Sequence, residues 1–141
     1  MRVRRAVAVP IGIEGALVAL FGEGVRRIRI IEHSLFARAH AGAVATTRRG
    51  RIYLSGSAAD FFDNPSLMLH EFCHVLLQWE TGRLTSARYL REWLRRGYWD
   101  NAFEVEAREF AQSNLSRFHA LLCRHSQAFG YNARLFLRRP S

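Results

Sequence analysis

The run Leu67-Met68-Leu69-His70-Glu71-Phe72-Cys73-His74-Val75-Leu76-Leu77 constrains this chain more than any other stretch. Apolar residues flank an H-E-x-x-H pattern on both sides, so it predicts a helix buried on several faces. Residues four apart on a helix leave the same face about one turn apart, which brings the His70 and His74 imidazoles together. Two neutral ring nitrogens at that spacing suit two corners of a tetrahedral metal site. Glu71, beside the first histidine, can reach a water on the metal rather than the metal itself. The plain alternative is a buried histidine pair satisfied by backbone groups. An acidic, alanine-containing helical segment at a suitable distance for a third ligand weighs against it.

At 141 residues the chain has room for one substantial core, so residues 1–141 are expected to form a single domain. An apolar fraction of 49% with 23% charged residues is ordinary for a soluble globular protein. Net charge is +9, and all 21 basic residues are arginine, which reads as coding bias more than as a phosphate-binding face. Nucleic acid is therefore not an expected partner. Met1 to Gly22 superficially resembles a signal peptide, but Pro10 and Glu14 interrupt its apolar run and no stretch reaches 18 apolar residues. The expectation is an uncleaved cytoplasmic protein without a membrane span. Cys73 and Cys123 are expected to be two buried free thiols, with Cys73 pointing off the ligand face.

Read in order, residues 11–24 predict an N-terminal helix ending at Gly22 or Gly24. Arg26 to Ile31 alternates charge and aliphatic as a half-buried strand does, and residues 34–40 allow one or two helical turns. Ala43–Thr46 and Arg51–Leu54 predict a hairpin turning at Arg48-Arg49-Gly50, with arginines protecting the edge. Asp63-Asn64-Pro65 is a helix start, so the motif helix should run from about Pro65 to Trp79. Ala87–Arg96 predicts a helix with Leu90, Trp93 and Leu94 on its apolar side, stopped by Gly97. A long helix from Ala102 to about Phe129 carries Phe103, Ala107, Phe110, Ala111, Leu115, Phe118 and Leu122 as its apolar stripe. Residues 130–141 read as a basic, peripheral tail.

The third ligand is sought in Phe103-Glu104-Val105-Glu106-Ala107-Arg108-Glu109-Phe110-Ala111. H-E-x-x-H followed by F-E-x-x-A-x-x-F-A resembles the gluzincin metallopeptidases, including the CAAX-processing endopeptidases and the ImmA/IrrE-like bacterial proteases. The chain is more similar still to a bacterial HExxH domain often encoded beside contractile injection systems. The shared features there are a strand at Ile52-Tyr53-Leu54, the motif His70 to His74, Gln78 (shifted by one), Gly82 and Asn101-Ala102-Phe103-Glu104-Val105-Glu106-Ala107. The likeness covers roughly residues 26–112 and implies a small α+β zincin-like domain, a short mostly antiparallel sheet packed on the motif helix and a second, ligand-bearing helix.

By that likeness Glu104 is the third metal ligand, and Arg108 stands where an acid usually orients a ligand histidine; Ala102 stands where proline is usual. Glu106 competes, since it directly precedes the alanine. Positions 104 and 106 point about 200° apart on a helix, so only one can face the metal. Glu104 is preferred because it shares its face with Ala107, Arg108 and Ala111, whose two small residues allow close approach. Glu109 reads as a solvated helix carboxylate, and the remaining histidines (His33, His40, His119 and His125) have no partner spacing and read as structural or exposed.

These readings together imply zinc-dependent peptide-bond hydrolysis with Glu71 as general base. The expected partner is a peptide or protein substrate lying along an Arg51–Leu54 edge strand. Tyr98, Tyr131 and Arg108 are candidate oxyanion donors. The competing expectations are a catalytically silent HExxH fold acting as an interaction or accessory protein, and an arginine-rich protease associated with nucleic acid.

Overall fold

The structure is a computed structural model, and it describes residues 6–39 and 44–128. Helix α1 (Ile11–Phe21) buries Ile13, Ala16 and Leu17 and ends where Gly22 takes φ 92°. That left-handed backbone suits glycine, and the Gly22 amide closes the last turn on the Val18 carbonyl at 2.7 Å. A 3₁₀ segment, Glu23–Arg27, then leads into β1 (Arg29–Ile31), so the strand is shorter than the charge alternation predicts. After α2 (Leu35–Ala39), β2 (Ala45–Arg48) and β3 (Arg51–Leu54) form the expected hairpin in the register Arg48↔Arg51 to Ala45↔Leu54. Gly50 supplies the turn's left-handed residue at φ 72°.

The sheet has the order β1-β3-β2. β1 runs parallel to β3, pairing Ile30 with Ile52, and an antiparallel bridge from Val7 to Ile30 covers part of its outer side. The sheet thus overturns one expectation. Arg51–Leu54 is the central strand and not an edge, because both its sides are already hydrogen-bonded and Ile52 and Leu54 are buried. Among the described residues, the free edge belongs to β2.

Ser57 caps the short α3 (Ala58–Phe62), an element the sequence reading passes over, by accepting from the Asp60 amide at 3.1 Å. The motif helix begins as its Asn64-Pro65 signature requires: Asn64 Oδ1 accepts from the Leu67 amide at 3.0 Å and Pro65 occupies the first helical position. It runs as α4 (Pro65–Phe72) and continues without a break as a π-helix, Cys73–Trp79, in which the Glu80 amide reaches five residues back to the Val75 carbonyl at 3.0 Å. Met68, Leu69, Phe72, Cys73 and Val75 along it are all fully buried.

Helix α6 (Ala102–Ala128) lies against both α1 and α4. Ala107 and Ala111 are buried on its contact face, and small side chains there let the helix backbones approach. Phe21 locks the three helices, with its ring 5.1 Å from Phe110 and 6.0 Å from Phe72. One hydrophobic cluster joins α1, the sheet, the motif helix and α6. The result is a mixed α+β domain with a small three-stranded sheet and predominantly helical mass.

Two further expectations change. Cys123 is an exposed free thiol, because α6 packs only one face and Cys123 lies off it; Cys73 is buried. Helix α5 (Ser86–Arg96) forms where expected and Gly97 ends it at φ 74°, yet none of its residues is buried and its apolar side stands in solvent. No described helix is long and apolar enough to cross a membrane. The tail at 130–141 lies outside the described residues.

Candidate metal site

Histidines 70 and 74 come from the last turn of α4 and the opening of the π-helix, and their Nε2 atoms lie 3.0 Å apart. Glu104 enters from the first turn of α6. That turn is held by the fully buried Asn101, whose Oδ1 accepts from the Phe103 amide at 3.0 Å while its Nδ2 donates to the Tyr89 carbonyl at 3.4 Å. A helix N-terminus favours a carboxylate. Glu104 Oε2 sits 3.0 Å from His70 Nε2 and 3.3 Å from His74 Nε2, and its Oε1 accepts from the Tyr89 hydroxyl at 2.8 Å. Glu106 points the other way, into a forked ion pair with Arg83 at 2.8 and 2.7 Å.

Whether this donor set fits a metal turns on protons and distances. His74 Nδ1 is 2.7 Å from Gln78 Oε1, and Gln78 Nε2 donates to the Phe103 carbonyl at 3.0 Å. With the amide so oriented, Nδ1 must carry the hydrogen, and a neutral His74 directs the lone pair of Nε2 at His70 and Glu104. With both histidines neutral and these nitrogens bare, the three facing atoms are acceptors, and a shared proton or a metal ion must hold them together. Their separations of 3.0, 3.0 and 3.3 Å lie close to the roughly 3.3 Å edge of a tetrahedron with metal–donor bonds of about 2.0–2.1 Å. His70, His74 and Glu104 thus form a group that could hold a metal ion. Gln78→Leu removes the tautomer lock and should weaken metal affinity by about 10–100-fold in a competitive chelator titration. Unchanged affinity would show that Gln78 has no part in orienting His74.

Glu71 is buried beside this group, and no described side chain hydrogen-bonds to its carboxyl. Burial pushes its pKa up, and the neighbouring His74 and His70 offset only part of that. Glu104 behaves oppositely. Burial would raise it too, but the hydrogen bonds from His70, His74 and Tyr89 hold it well below the ordinary carboxylate range. Burial works against a charged His74; its hydrogen bond to Glu104 and the charges of Glu71 and Glu104 outweigh burial and raise its pKa. Tyr98 is pushed up to about 12 by burial and by the charges of Glu104 and Glu71, so it remains a hydrogen-bond donor at neutral pH.

The group opens into a cleft of about 730 Å³. One wall is the free edge strand β2, and the other is formed by Leu84, Tyr89, Leu90, Trp93 and Tyr98. A smaller cavity on the other side is lined by His70, Glu71, Tyr98 and Arg108, so Tyr98 borders both. Arg108 donates to the Trp99 carbonyl and lies 5.2 Å from the centre of the Trp99 ring, tying the turn before α6. It therefore does not orient a ligand histidine, a task that Gln78 performs for His74. Tyr131 lies outside the described residues. Tyr89 is a participant that sequence reasoning missed; its only signal is a tyrosine on the cleft side of α5. Asn101 could have been found as an N-cap two residues before Phe103. No family model, curated protein or solved structure matches this chain.

Proposed function

We propose that this chain hydrolyses peptide bonds with zinc held by His70, His74 and Glu104. One observation carries the reading: a metal-competent triangle of donors opens into a cleft lined also by Glu71, whose carboxyl has no hydrogen-bond partner among the described residues. Zinc bound there would polarise a carbonyl and bring the pKa of bound water to about 7. Glu71, whose pKa burial raises, is suited by its place beside the metal group to take up a proton and return it to the leaving amine. Tyr98 borders both sides of the site and can donate to an oxygen that gains charge. The free edge of β2 offers backbone groups to an extended peptide by strand addition.

The test is cleavage of an unstructured protein by purified material containing about one zinc per chain. Activity should vanish on chelation and return when zinc is restored. Tightly bound zinc with no cleavage of any unstructured substrate would favour a silent accessory protein.

A further inference from the structure

Helix α5 has no buried residue, unlike α1, α4 and α6, and it separates its two faces most sharply among the described helices. At about 100° per residue, Tyr89, Leu90, Trp93 and Leu94 fall in one sector, and Arg88, Arg91, Arg95 and Arg96 in the other. Of the apolar sector, Tyr89 is the member tied inward among the described residues, to Glu104. Leu94 is 71% exposed, and the turn after the helix adds Trp99, also 71% exposed, beneath the Arg108 guanidinium. The only acid between residues 86 and 99 is Glu92, which pairs with Arg96 at 3.6 Å.

We propose that α5 and the Tyr98–Trp99 turn dock this protein on an anionic phospholipid bilayer. Leu90, Trp93, Leu94 and Trp99 would enter the interfacial layer, and the flanking arginines would meet lipid phosphates. The physics is that of a helix lying in the membrane plane: apolar area is removed from water while long basic side chains reach back to the headgroups. Charge complementarity selects this occupant. Two-fold pairing of the same face on a second copy would set arginine rows against one another, within a chain already at +9. An anionic surface neutralises those rows, and the tryptophans match the bilayer–water boundary. Leu90, Trp93 and Tyr98 also wall the cleft of the metal group, whereas Arg91, Leu94, Arg95 and Trp99 lie outside its lining, so variants at those four positions separate docking from the peptidase reading.

Co-sedimentation of the whole chain with vesicles tests it, comparing phosphatidylcholine alone with phosphatidylcholine containing about one-third phosphatidylglycerol. Partitioning should be at least about tenfold stronger on the anionic vesicles and weaken as salt rises. Arg91→Glu with Arg95→Glu, and separately Leu94→Ser with Trp99→Ser, should each reduce it by roughly tenfold or more with unchanged circular dichroism, since all four side chains are exposed. Absence of a preference for anionic lipid would overturn the proposal. So would sensitivity to the arginine pair alone, which would mark a purely electrostatic surface suited to any polyanion, including an acidic protein. A dimer dissociated by Leu94→Ser, in a protein that does not sediment with vesicles, would assign the face to a second copy instead.

Discussion

Glu71→Gln is expected to leave zinc content and folding nearly unchanged while hydrolysis falls by roughly 10²–10⁴-fold. The substitution keeps the shape of the side chain and removes its basicity. Glu71 is not one of the three converging donors, and no described side chain hydrogen-bonds to its carboxyl, so the metal group loses no contact. The measurement is a pair of assays on one preparation: elemental analysis and cleavage of an unstructured protein. Activity unaffected by the change would remove the general-base mechanism altogether. A loss of zinc alongside activity would instead mean that Glu71 supports the metal group directly.

Glu104→Gln should lower metal affinity by more than roughly 100-fold, whereas Glu106→Gln should leave it within a few-fold of the wild type. The first change removes the negative charge from the atom that lies 3.0 Å from His70 Nε2 and 3.3 Å from His74 Nε2. It also disturbs the carboxylate that accepts the Tyr89 hydroxyl bond. The second change mainly breaks a largely exposed pair with Arg83, worth at most about 1 kcal/mol of stability, and a weaker interaction with Gln78, and it removes no atom from the metal group. Competitive titration against a chelator reads both variants on one scale. His70→Ala with His74→Ala serves as the limit in which binding is abolished. Zinc retained by Glu104→Gln but lost by Glu106→Gln would contradict the arrangement of α6 across the motif helix.

Much of the local structure was legible because short-range geometry dictates it. The Asn64-Pro65 start, the left-handed turn at Gly50 and the stop at Gly97 each follow from what one or two residues can do with their backbone. The π-helix was not legible. It begins inside the motif, between His70 and His74, and a shift from four-residue to five-residue hydrogen bonding leaves no mark on hydrophobic spacing. Cys123 shows a related limit: an apolar run on a long helix implies burial, but α6 packs on one side only and Cys123 faces away.

The sequence by itself determined that His70, Glu71 and His74 would share one helical segment, and that Glu104 and Glu106 could not face the same way. Both follow from residue spacing along a helix, a property that neighbours in the chain settle between themselves. Only the tertiary structure decided which acid meets the histidines, since that depends on how α6 crosses α4, and on Arg83 holding Glu106 outside. It also decided that β3 lies inside the sheet and β2 at its edge, because strand order comes from pairing between distant segments, β1 closing on β3 across more than twenty residues. The exposure of Leu90, Trp93 and Leu94 was settled the same way. Amphipathic spacing says that an apolar face exists, and only the packing of the rest of the chain says whether anything covers it.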